Sequence, residues 1–183
     1  MSEELLIRHC SSTLAGLKTG SLFNCPCHSL DEMRGEIRRM NKRLRKKGLR
    51  VVPLRFTKQN ALIYVYRPSK LKKDLADETA EFLLQHNGYA CDGAEKCVAC
   101  LSRRMKSNAD FPHEIGLFLG YPPEDVKGFM EQGSQKCKCS GCWKVYGDAE
   151  HAKKLFAQYK KCTDVYARKY SDGRSIEQLA VAA

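Results

Sequence analysis

The sequence predicts an α+β protein, a helix-rich single domain with a small antiparallel sheet, and three observations carry that expectation. Met33, Ile37, Met40 and Leu44 recur at helical spacing behind an S-x-x-E start. Two runs rich in Val, Ile, Leu and Tyr, about 49–67, flank the short polar TKQN and read as a hairpin. After Asp148 an apolar stripe of Ala152, Leu155, Phe156, Tyr159, Tyr166 and Tyr170 marks a long helix. No repeat, low-complexity tract or linker divides the chain, so 1–183 is read as one domain.

The elements follow in order. The opening MSEELLIRHC carries acids where a secretory leader carries bases, and no apolar run approaches the roughly 20 residues a membrane span needs. A cytoplasmic location with no membrane contact is expected. GLKTGSLF reads as a glycine-punctuated loop or strand anchored by Leu17, Leu22 and Phe23. Ser29 and Glu32 form a capping box, and Gly48 suits the C′ position of the helix they start. Pro53 marks an edge or a bulge in the first hairpin strand. The stretch 69–86 reads as one helix through Leu71, Leu75, Phe82 and Leu83, and 94–106 as another. In FPHEIGLFLGYPPEDVKGFM, Pro112 and Pro123 suit the first positions of two short helices, Gly120 stops the first, and Glu124 and Asp125 favour the positive end of the second. WKVY is a short strand, with Trp143 as a core anchor, and Ser175 caps a last turn.

The formal net charge is +11 and is unevenly spread: 34–50 holds nine Lys or Arg against Glu36 alone. Arg34, Arg38, Arg39, Lys42, Arg45 and Lys46 occupy the arc opposite the apolar stripe. A solvated outer face explains them, while an RNA- or anion-binding module on this helix is a third functional reading. No aromatic residue interleaves to stack bases.

Three stretches, HCSSTLAGLKTGSLFNC (9–25), HEIGLFLGYPPEDVKGF (113–129) and GCWKVYGD (141–148) with the YKKCTDVY that follows, resemble an uncharacterised bacterial family, a domain of unknown function associated with Clostridia and related anaerobes. The resemblance spans nearly the whole chain. It implies one complete cytoplasmic domain and supplies no reaction.

Two motifs in the first stretch fail on spacing. A P-loop needs glycine directly before its lysine, and Leu17 precedes Lys18. An acyl-enzyme set needs S-x-x-K ahead of K-T-G, whereas Ser69 to Lys72 comes after Lys18-Thr19-Gly20.

Ten cysteines without a leader peptide read as thiols or metal ligands, not disulfides. Cys97 and Cys100 form one C-x-x-C, Cys139 and Cys142 another, with Cys91 and Cys137 beside them as substitutes. Such pairs place two thiolates on one tetrahedral ion at about 2.3 Å, so together they would hold zinc or an iron–sulfur cluster. The separation is long: 38 residues lie between Cys100 and Cys139, against about 15–20 in zinc ribbons. Cys25, Cys27 and His28 make a second possible metal site, suited to a soft ion. Cys162 falls on the stripe of the long helix and reads as core. The leading expectation is therefore a cysteine-rich metal or iron–sulfur protein with a structural, metal-handling or redox-accessory role and a protein or redox partner. The enzymatic alternative sets Cys10 as nucleophile and His113 as its base, with Glu114, Asp110 or Asn108 orienting the imidazole.

Overall fold

The computed structural model describes residues 1–90, 92–107 and 111–182. In chain order it contains α1 (Glu3–Leu14), β1 (Gly20–Pro26), α2 (Leu30–Leu44), β2 (Arg50–Phe56), β3 (Asn60–Tyr66), α3 (Pro68–Asp74), α4 (Glu78–His86), α5 (Ala94–Ser107), α6 (Ile115–Phe118), α7 (Pro123–Gln132), β4 (Cys139–Ser140), β5 (Lys144–Val145), α8 (Ala149–Ser171) and α9 (Ile176–Leu179). The α+β expectation holds. Among the described residues no helix is long and apolar enough to cross a membrane.

A three-stranded antiparallel sheet in the order β1-β3-β2 organises everything else. Side chains alternate across a strand, and here both faces are covered. Ala61, Ile63 and Val65 face a core built with α1, α2 and α9. Leu62, Tyr64 and Tyr66 face a second core built with α3 to α7. The hairpin β2–β3 forms as expected, and Pro53 satisfies both readings offered for it. It lies on an edge strand, and the register shifts between Pro53 and Arg55.

The stripe Met33, Ile37, Met40 and Leu44 is buried on α2, whose N-cap is Ser29. Arg34, Arg38, Arg39, Lys42, Arg45 and Lys46 are exposed, which fits a solvated face. Gly48 takes φ +73°, the left-handed conformation that ends the helical turn.

Three elements differ from expectation. The helix expected over 69–86 is two helices, because Asp77 accepts from the N–H groups of Thr79 and Ala80 and starts α4 afresh. The break rotates Phe82 out of the stripe, leaving it 61% exposed. Leu17, expected to anchor its loop, is also exposed. The polar stretch His9 to Thr13 lies in α1 despite the poor helix propensity of Ser and Thr. Ser11 donates back to the Ile7 carbonyl, Thr13 and Ser21 share a bond of 2.9 Å, and Leu6, Ile7, Cys10 and Leu14 are sealed in the core.

Two arginines tie distant segments. Arg67, 2% exposed, donates to the carbonyls of Thr13 (2.7 Å), Leu14 (2.7 Å), Lys47 (3.2 Å) and Val181 (2.8 Å). Its guanidinium thus meets the negative end of α1 and pins the C-terminal residues there. Arg43 on α2 bridges Glu177 of α9 in a fork and Glu3 of α1 at 2.6 Å.

The Arg43 hydrogen bonds hold the Glu177 carboxyl down at about 2, below its ordinary 4.5. A depressed carboxyl stabilises the fold fully above its unfolded value and less as pH falls toward the folded one. The pair is about a third exposed, so roughly 1 kcal/mol is expected from it, well below the full linkage value. Thermal unfolding should therefore show the advantage of the native protein over Arg43→Met shrinking by that amount between neutral pH and about pH 2. An unchanged difference would refute the assignment.

Candidate functional site

The structure does not bring the two C-x-x-C units together. Cys97 is buried with Val98, Leu101 and Met105 on the inner face of α5, as a small apolar side chain, and Cys100 packs at the margin of the same core. Cys139 packs instead against the cluster of Trp143, Val145, Ala152 and Tyr159, and Cys142 is exposed beside it. Among the described residues no three His, Cys, Asp or Glu side chains stand where one ion would reach them all. The shared Cys97, Cys100, Cys139, Cys142 site is accordingly corrected. Cys137 donates to the Ser134 carbonyl at 3.4 Å, and Cys91 lies outside the described residues.

The second set is also split. Strand alternation turns Cys25 and Cys27 into the first core while His28 is exposed. Their thiols lie against the carbonyls of Pro26 (3.6 Å) and Ser29 (3.5 Å).

Cys10 is fully buried, and burial pushes its thiol far above the ordinary value, opposed by the Lys18 ammonium and a bond to Ser21. Its sulfur is thus not presented to solvent as a catalytic thiol would be. His113 is exposed and sits edge-on to Phe129 at 4.9 Å, away from the α1 core. Glu114, one of its proposed orienting partners, is 2% exposed and accepts instead from Tyr89 (3.1 Å) and Arg104 (2.9 Å). Asn108 and Asp110 lie outside the described residues. Cys162 is buried on α8, as expected.

What the fold does assemble is an aromatic-walled cavity of about 300 Å³ between α6, α7, β1 and the β4–β5 hairpin. Leu22, Ile115, Gly116 and Leu119 form its aliphatic side, Tyr121 and Trp143 one wall, and Phe111, His113 and Phe129 complete the lining. Of its twelve lining residues, all but Phe111 come from the three separated stretches 9–25, 113–129 and 141–148. A larger hollow of about 810 Å³ beside α4 and α5 is bordered by Lys72, Glu81 and Asp92 and offers no comparable apolar enclosure.

Asp125 builds the wall. Its carboxylate, 3% exposed, accepts from Trp143 Nε1, from the Tyr146 N–H and from the Gly147 N–H, each at 2.7 Å. These bonds fasten the hairpin to α7. Trp143 then stacks on Tyr121 at 4.8 Å and meets Phe156 edge-on at 4.5 Å. Gly141 is required at the tip, because a Cβ there would collide with the Phe156 ring. The Tyr121 hydroxyl donates to the Cys142 carbonyl at 3.2 Å, and the Lys18 ammonium lies 5.0 Å from the centre of the same ring. Burial, then nearby Cys142 and Tyr159, pushes the Tyr121 phenol up to about 12, and burial also pulls Lys18 down. At physiological pH this phenol is a neutral hydrogen-bond donor.

Sequence reasoning assigned Trp143 to the core and missed its second role. In the sequence Asp125 reads as a partner of the α7 dipole, since nothing local announces an indole arriving from eighteen residues onward. Lys18 entered only through motifs that it failed.

Helices covering both faces of a short antiparallel sheet, with an aromatic cavity at one margin, define an α+β protein carrying a ligand-sized hollow. The chain belongs to the family described as "Protein of unknown function (DUF3793)", whose model matches residues 6–180. No curated protein and no solved structure matches it.

Proposed function

We propose that this protein binds a small apolar molecule in the cavity walled by Tyr121 and Trp143. One observation carries the reading: the stretches 113–129 and 141–148, together with Leu22 of β1, supply all but one of the residues lining a single, largely carbon pocket. A cavity of about 300 Å³ falls at the lower end of the range for small-molecule sites, so the ligand is compact and flat. Trp143 is the only tryptophan in the chain, which makes its emission a direct reporter. Titration with the neutral probe N-phenyl-1-naphthylamine should give a saturable, one-site change in that emission. Leu22→Phe, which fills the hollow from the half-buried face of β1, should abolish the change while leaving circular dichroism intact. A folded Leu22→Phe protein that binds the probe unchanged would refute the reading.

A second reading rests on the hairpin thiols. Cys137, Cys139 and Cys142 stand within CKCSGC, none is fully buried, and none is in a disulfide. They do not converge as a three-thiolate site, but a soft ion could be held by two of them with outside ligands. Elemental analysis tests this: a stoichiometric metal lost in Cys139→Ser supports it, and metal-free folded protein excludes it.

A further inference from the structure

We infer that the molecule taken by the cavity is an amphiphilic anion, a flat apolar body with a carboxylate or similar head held at Lys144. The inference rests on the cavity being a binding site and adds the charge of its ligand.

Among the described residues the charged groups around the hollow differ in how far they are already engaged. Among the described residues Asp125 is the one carboxylate in the lining, and its two oxygens already accept three N–H groups at 2.7 Å. Only one acceptor site on Oδ2 is left, and the group is 3% exposed, so it is poorly presented to a cationic ligand. Glu114, next to His113 in the chain, is turned into the second core and neutralised by Arg104 at 2.9 Å. Lys144 is the one Lys or Arg in the lining, is half-buried, and makes no ion pair or hydrogen bond among the described residues. Lys18 lies over the Tyr121 ring and likewise has no carboxylate partner among them. His113 adds an imidazole. Among the described residues Lys144 and Lys18 thus lack a carboxylate partner, while Asp125 and Glu114 are held by donors of the protein itself.

Electrostatics then selects the ligand. A charged head cannot enter the apolar interior without a partner, since burying an unpaired ion is strongly unfavourable. It must remain beside Lys144, with the apolar body against Trp143 and Tyr121. A half-buried ion pair of this kind favours the anion about tenfold over a neutral isostere, and a cationic head would meet only like charge.

Calorimetric titration with three ligands sharing one ring system distinguishes the outcomes: 2-naphthoate, 2-naphthalenemethanol and 2-naphthylmethylammonium. The acid is expected to bind about tenfold tighter than the alcohol, and the ammonium more weakly than either. Lys144→Met should erase the acid's advantage over the alcohol, and Lys144→Arg should preserve it. Added salt should narrow the gap in the native protein and in Lys144→Arg, but not in Lys144→Met. Alcohol or ammonium binding as tightly as the acid would overturn the charge assignment and leave the cavity's binding role standing. An acid preference that survives in Lys144→Met would overturn the role of Lys144. Failure of all three ligands together with the neutral naphthylamine probe would take down the binding reading itself.

Discussion

Replacing Arg67 by methionine is expected to cost about 4 kcal/mol of folding stability, several charge-assisted bonds at roughly 1.5–3 kcal/mol each less what water restores on entering. Arg67 is 2% exposed and donates to four backbone carbonyls drawn from three places: the end of α1, the turn after α2, and Val181. Burial pulls its guanidinium below the ordinary value, yet arginine remains cationic at any physiological pH. Methionine fills the same volume and satisfies none of those oxygens. Arg67→Lys keeps the charge but not the planar fork, so it should recover part of the loss and no more. Urea unfolding measures both variants, and carboxypeptidase digestion should show the C-terminal residues released in Arg67→Met. A loss below about 1 kcal/mol would show that the carbonyls find other partners.

Asp125→Ala should release the β4–β5 hairpin from α7. The variant strands three donors at once, the Trp143 indole and the N–H groups of Tyr146 and Gly147, for an expected cost of about 3–5 kcal/mol. Emission from Trp143 should shift to the red, its near-ultraviolet dichroism should collapse, and ligand binding should vanish with the wall. Asp125→Asn separates charge from shape. Its remaining carbonyl oxygen still accepts the two backbone N–H groups that share Oδ1, but its NH₂ faces the indole N–H, donor against donor. That variant should therefore hold the hairpin while losing the alignment of Trp143. Alanine and asparagine variants with the same emission as the native protein would refute the anchoring role.

Much of the architecture was legible because local chemistry and tertiary packing agree there. Ser29, Asp148 and Ser175 each cap the helix that their position announces. Pro53 marks the bulged edge. Legibility fails where packing overrides propensity, as in α1, whose hydroxyls are satisfied only by back-bonding and by a neighbouring strand. It also fails where one capping aspartate, Asp77, divides a continuous apolar pattern. Of the candidate site residues, Trp143, His113 and Tyr121 lay in stretches that stood out as strings of letters, but their meeting point did not. Cysteine spacing suggested convergence between Cys97 and Cys139, whereas the hydrophobic demand of α5 claimed Cys97 for a different core. Contacts such as Asp125 to Trp143 are made by the fold and leave no periodic trace.

The two cores on either side of β3 have a consequence for how this chain tolerates change. Along Asn60–Tyr66, odd-numbered side chains are fitted to one set of helices and even-numbered ones to another. Sliding the strand by a single residue would swap small Ala61 and branched Ile63 for Leu62 and Tyr64 on both sides at the same moment. Alignment is thus policed twice over, and β3 has no lenient side on which an insertion or deletion could be absorbed.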